Sequence, residues 1–174
     1  MNKAVFLDRD GTINEDIGYV HLPEQLFFLP KAAEAIKLIK EKGYLAIVIT
    51  NQSGVARGLF GIREVEAFHL NMNKRLLEFS TEIDAFYYCP HLPGGSIREY
   101  AIECECRKPG LLMFKKAVSE CAIDTRNSYA VGDNMRDIIP GNALGMKTAL
   151  ISNKAGLPND IPRYDCLYSF AASL

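Results

Sequence analysis

Short apolar runs alternate along this chain with longer amphipathic ones, and nearly every apolar run stops at a polar cluster. Ala4-Val5-Phe6-Leu7 is uninterrupted and ends at Asp8, as a parallel strand buried on both faces would. Lys31 to Lys42 reads as a helix with Ala33, Ile36 and Ile39 among its core positions, and Gly43 stops it. Tyr44 to Thr50 is a second strand, followed by Asn51-Gln52-Ser53-Gly54. A long helix over Arg63 to Ser80 leads to a third strand, Ile83 to Cys89. Leu111 to Cys121 reads as helix, Ser128 to Val131 as strand, Met135 to Leu144 as a short helix, Lys147 to Ser152 as strand and Tyr164 to Tyr168 as a sixth. Such alternation specifies an α/β domain with a largely parallel sheet, whose ligands bind beyond the carboxyl ends of the strands.

A length of 174 residues suits a single domain over the whole chain. A net charge of −1 argues against nucleic-acid binding by bulk electrostatics. No apolar run approaches the ~20 residues a membrane span requires, and Met1 to Asp8 has no signal-peptide pattern. The expectation is a cytoplasmic monomer that touches neither membrane nor nucleic acid. The long irregular stretches, Gly11 to Pro30 and Pro90 to Gly110, have the length of functional loops.

Asp8-Arg9-Asp10-Gly11-Thr12 places two acids two residues apart directly after a strand. They would repel without a cation, and Mg²⁺, an oxygen-seeking ion that bridges carboxylates to phosphate, answers that need. An acidic turn at Asp10-Gly11 would carry the same residues. Three further clusters weigh against it: Thr50 at the end of the second strand, Arg107-Lys108-Pro109 before a helix, and Gly132-Asp133 with Asp137 one turn beyond. Each has a plain structural use, Asp133 as a helix cap for example. Together they supply a nucleophile, a proton carrier, a metal site and contacts to phosphoryl oxygens.

Five cysteines in a chain of this kind are not expected to form disulfides. Cys89-Pro90-His91 and Cys104-Glu105-Cys106 form two close pairs separated by a loop, an arrangement suited to tetrahedral Zn²⁺. Four protein ligands leave no open position, so the expected zinc is structural, a staple for the Pro90 to Glu103 loop. Cys121 and Cys166 read as small core residues and His69 as a surface histidine.

The set Asp8-x-Asp10-Gly11-Thr12, Thr50, Lys108 and Gly132-Asp133-x-x-x-Asp137 resembles the haloacid dehalogenase superfamily. The resemblance implies a three-layer Rossmann-like fold and a phosphoryl-transfer site with Asp8 as nucleophile and Asp10 as general acid and then base. It implies Thr50 and Lys108 as phosphoryl contacts, and Mg²⁺ on Asp8, the Asp10 carbonyl and Asp133, with Asp137 in support. Gly18-Tyr19-Val20-His21, Thr50-Asn51-Gln52-Ser53-Gly54-Val55-Ala56-Arg57-Gly58 and Cys104-Glu105-Cys106-Arg107-Lys108-Pro109 resemble more closely the group of heptose bisphosphate phosphatases, near relatives of the histidinol-phosphate phosphatases. That implies a zinc-stapled loop, no large cap domain and a small phosphorylated sugar as substrate. The implied contacts are Asp16, Ile17, Gly18, Tyr19, Thr50, Asn51, Gln52, Ser53, Arg107, Lys108 and Asn134, the last at a place where the group often carries Lys.

Overall fold

The computed structural model describes residues 1–152, 158 and 160–174. Six strands form one sheet in the order β3-β2-β1-β4-β5-β6. They are β1 (Lys3–Leu7), β2 (Tyr44–Asn51), β3 (Ala85–Cys89), β4 (Tyr129–Gly132), β5 (Lys147–Ile151) and β6 (Arg163–Tyr164), and every neighbouring pair is parallel. The helices are α1 (Ala32–Glu41), α2 (Ile62–Leu76), α3 (Leu112–Glu120), α4 (Met135–Ala143) and α5 (Leu167–Ser173).

Alternation along β1 separates the two cores. Val5 and Leu7 join Ile36 and Ile39 of α1, Phe68 and Met72 of α2 and Phe170 of α5 on one face. Ala4 and Phe6 join Met113, Phe114 and Ala117 of α3 on the other, with Phe6 stacked on Phe114 at 5.3 Å. A strand with a two-residue side-chain period can serve both layers only if both its faces are apolar, which is why β1 reads as an unbroken apolar run. α4 lies against β4 through Gly141, where a Cβ would stand 2.2 Å from that of Ala130. The architecture is the expected three-layer α/β sandwich. Among the described residues no helix is long and apolar enough to cross a membrane.

The sixth strand is shorter and earlier than expected. Among the described residues after β5, only Arg163 and Tyr164 pair with it, and the chain turns into α5 at Leu167. Leu167, Phe170 and Ala171 are buried at helical spacing, a period too brief in a five-residue window to separate from a strand. Cys166 is therefore the N-cap of α5 and half-buried, not a core strand residue, and Cys121, the C-cap of α3, is likewise half-buried. His69 is not on the surface. It is 5% exposed, sharing the buried face of α2 with Val65, Phe68, Met72 and Leu76.

Candidate active site

Asp8 follows β1 directly, its N–H donating to the Val131 carbonyl of β4 at 3.0 Å. Thr50 and Asn51 end β2, and Asp133 follows β4. Three adjacent central strands thus bring their ends together at the carboxyl edge of the sheet. Lys108 arrives from the loop before α3. The Asn51 side chain clamps its backbone, Oδ1 accepting from the Lys108 N–H at 2.9 Å and Nδ2 donating to its carbonyl at 3.2 Å.

The Lys108 amine then enters the interior. It donates to Asp8 Oδ1 at 2.9 Å and to the Ile49 carbonyl at 2.6 Å, and pairs with Asp137 Oδ1 at 2.7 Å. All three side chains are buried. Burial pushes the Asp8 carboxyl up to about 7; the Lys108 charge opposes this while Asp137 and Asp10 add to it. For Lys108, burial works to lower the pKa and is outweighed by the Asp8 and Asp137 charges, so the amine is held above its ordinary value.

Asp10 faces a ring of donors. Arg9 gives it a bidentate pair, Nε to Oδ1 and Nη2 to Oδ2, both 2.9 Å. Asn14 Nδ2 donates to Oδ1 at 2.9 Å and Gln52 Nε2 to Oδ2 at 3.2 Å. The same Gln52 amide donates to Thr50 Oγ1 at 2.9 Å, which leaves the hydroxyl's own hydrogen for another acceptor. The turn that presents Asp10 closes on the Arg9 carbonyl, which accepts from the N–H groups of Thr12, Ile13 and Asn14. Gly11 sits at φ 82°, and a Cβ there would stand 3.1 Å from Asp133 Oδ2. Gly132 is equally constrained, since its Cβ would meet that of Asp137 at 2.4 Å.

Two ligand sets emerge. Carboxylate oxygens of Asp8, Asp133 and Asp137 lie within 4.8 Å of one another, a hard-donor set of the kind Mg²⁺ takes. Cys89, His91, Cys104 and Cys106 converge equally closely through three sulfurs and His91 Nδ1. Sulfur separations run from 3.0 Å (Cys89–Cys106) to 3.6 Å (Cys89–Cys104). A disulfide needs about 2.05 Å, whereas a tetrahedron with Zn–S bonds of about 2.3 Å has edges near ~3.8 Å. The residues fit a zinc ion.

Above Asp8 opens a cavity of ≈ 280 Å³. Asp16, Gly18, Tyr19, Thr50 to Gly54, Arg107, Lys108 and Arg136 line it with Asp8 and Asp10, so three cations border it. Ile17 and Asn134 are not among the lining residues; Asn134 is the N-cap of α4, accepting from the Arg136 N–H at 3.3 Å.

A family model of HAD-like hydrolases matches residues 105–166. The D-glycero-β-D-manno-heptose-1,7-bisphosphate 7-phosphatase of Haemophilus ducreyi is 43% identical over 86% of this chain and 82% of its own length. The enzyme of the same name from Pasteurella multocida is 40% identical over 91% and 85%. The chain belongs to this heptose bisphosphate phosphatase family. A crystal structure of D,D-heptose 1,7-bisphosphate phosphatase from B. bronchiseptica, complexed with magnesium and phosphate, superposes with a TM-score of 0.85 at 30% identity, covering 98% of this chain and 97% of that one.

Within this heptose phosphatase family member, the sequence assigns no role to Arg9, Asn14 or Arg136 and places His69 wrongly on the surface. Arg9 and Asn14 flank Asp10 closely enough that their chemistry could have been asked for. Arg136 sits two residues past the Asn134 cap, on the first turn of α4, a placement that becomes visible once the cap is recognised. His69 carries no local mark, because its partner is 60 residues away.

Proposed function

We propose that this chain is a phosphomonoester hydrolase that removes the C7 phosphate of D-glycero-D-manno-heptose 1,7-bisphosphate through a phosphorylated Asp8. The observation that carries the reading is the buried Asp8–Lys108–Asp137 cluster, with Asp10 beside it and a cation-lined cavity above. An Asp8 oxygen attacks phosphorus, and the bond from phosphorus to the sugar oxygen breaks as Asp10 delivers a proton to that oxygen. Asp10 then takes a proton from the water that attacks the aspartyl phosphate, releasing inorganic phosphate and restoring Asp8. Thr50 Oγ1 donates to the phosphoryl oxygens, where charge must be stabilised, and the Lys108 amine does so with the N–H that Asp8 gives up as its oxygen attacks. Mg²⁺, held by the carboxylates of Asp8 and Asp133 and the Asp10 carbonyl, would screen the repulsion between carboxylate and phosphate dianion. Asp137 orients Lys108 and, through Oδ2, accepts from the Asn134 N–H at 3.0 Å.

The zinc on Cys89, His91, Cys104 and Cys106 is structural, its four positions filled by protein. The cytoplasm keeps such thiols reduced and available to metal. Metal analysis of purified protein is expected to give about one zinc per chain, the content of one four-ligand site. Cys106, whose sulfur approaches those of Cys89 and Cys104 and His91 Nδ1 within 3.3 Å, is the central ligand. Cys106→Ser should raise KM with the sheet still folded by circular dichroism. A zinc-free protein whose serine variant matches the parent would remove the staple.

Substrate choice follows from what lines the cavity besides Asp8 and Asp10. The transferred phosphate meets Asp8, Thr50 and Lys108, while Asp16 and the Gly18–Tyr19 turn face the sugar hydroxyls. Arg107 donates to the His91 carbonyl at 3.3 Å through Nη1, which keeps other N–H groups for a second phosphate, and Arg136 supplies a further cation close to where the group often carries Lys. A charge-assisted hydrogen bond contributes ~1.5–3 kcal/mol, so Arg107→Ala should cost roughly tenfold to a hundredfold in kcat/KM on the bisphosphate and far less on histidinol phosphate. Equal losses would place Arg107 at the transferred phosphate instead. The reading as a whole is tested by comparing kcat/KM for both anomers of heptose 1,7-bisphosphate, histidinol phosphate and fructose 1,6-bisphosphate. A heptose bisphosphate is expected to lead; a higher value for histidinol phosphate would overturn the assignment.

A further inference from the structure

Behind Asp10, away from the cavity, lies a polar chain that the reaction as described does not use. Arg9 is fully buried, at 0% exposure. Besides its two bonds to Asp10, Nη2 donates to the Val20 carbonyl at 2.9 Å, and the guanidinium lies 4.5 Å over the Phe68 ring. Nη1 lies 3.3 Å from His69 Nε2. His69 is itself fixed, stacked on Phe86 at 4.4 Å with 13° between the rings, and edge-on to Tyr88 at 5.7 Å.

We infer that His69 is a positioning residue for Asp10, acting through the Arg9 guanidinium. This rests on the phosphatase reading above. A guanidinium has only donors, so the facing imidazole nitrogen must be an acceptor and the ring's proton must sit on Nδ1. Burial, aided by the Arg9 charge, pushes the His69 pKa down to about 3, which keeps the ring in that neutral form. A buried Arg N–H without an acceptor is costly, so loss of the imidazole nitrogen would make the guanidinium shift in search of another. Because its fork grips both Asp10 oxygens, the carboxylate would move with it. Proton transfer tolerates misplacement of only about 0.5 Å, so such a shift appears in rate. Helix α2 and strand β3 thereby hold the acid–base group from behind, by a route separate from Asn14 and Gln52.

The test pairs substitutions that differ in where they offer an acceptor. His69→Gln can place an amide oxygen near the Nε2 position. His69→Asn keeps polarity but is too short to do so, and His69→Phe keeps the ring and its stack without an acceptor. On the sugar phosphate, the Asn and Phe variants are expected to lose roughly tenfold to a hundredfold in kcat, with KM within about twofold, and Gln should recover most of the rate. The second readout is the pre-steady-state burst with p-nitrophenyl phosphate. Its leaving group departs without a proton, so the burst rate should match the parent in all three variants while the later, water-dependent phase slows in Asn and Phe. An equal fall in burst and sugar-phosphate rates would mark general damage and overturn the inference, as would Gln behaving like Asn, or Asn and Phe matching the parent. A parent protein inert toward every phosphomonoester would overturn the phosphatase reading and this inference with it, a failure visible before any variant is made.

Discussion

Asp8→Asn is expected to abolish phosphatase turnover, by a factor on the order of 10⁴ or more, as loss of a covalent nucleophile does elsewhere. The amide keeps the shape and removes the attacking charge together with a metal ligand. Stability should move the other way. Burial, above all, pushes the folded Asp8 carboxyl up to about 7 from an ordinary 3.8. A raised carboxylate pKa means that the folded state favours the protonated form. The corresponding stability is full below the ordinary value and is lost as pH rises toward the folded one. At neutral pH, in chelator-treated protein, ionised Asp8 is a net cost that asparagine removes. Thermal melts at pH 7.5 are therefore expected to show the variant no less stable than the parent, with turnover absent. Residual turnover near the parent's would rule out the aspartyl-phosphate route.

Lys108→Met should lose both activity and stability. The substitution keeps an unbranched side chain, one atom shorter, but deletes the cation between two buried carboxylates, Asp8 at 2.9 Å and Asp137 at 2.7 Å. Removing one partner from a buried ionic cluster costs about 3–5 kcal/mol, less whatever is regained by protonating a carboxylate. Turnover should fall by about 10²–10³, the usual cost of one preorganised donor to a developing charge. Denaturant unfolding and kcat on the same preparation measure the two together. Unchanged stability would mean that the lysine does not bridge the acids in solution.

The convergence of Asp8, Thr50 and Asp133 was readable in the sequence because these residues stand at strand ends. Asp8, Thr50 and Asp133 each follow an apolar run, and a parallel sheet gathers such positions at one edge whatever the chain does between them. Lys108 was reached by its place in a motif, not by periodicity. Residues that support the chemistry indirectly were harder to see. His69 lies on a helix whose polar neighbours mask its buried face, and only the packing of α2 onto β3 brings it to Arg9. Arg136 was hidden behind the cap at Asn134. The end of the chain misled for a different reason, since Tyr164 to Tyr168 is too short for a strand period and a helical one to be told apart.

The clamp between Asn51 and Lys108 bears on how such a protein can diversify. The lysine's backbone is fastened to the end of β2 by two hydrogen bonds, and its amine to Asp8 just past β1 and to Ile49 of β2, so its place does not depend solely on the loop of the cysteine–histidine cluster that precedes it. Insertions, deletions or exchanges between Leu92 and Glu103, a stretch that lines no part of the cavity, can therefore accumulate while the site inherits the same lysine in the same place. One peripheral segment is free to drift, and the lysine's setting is handed on intact.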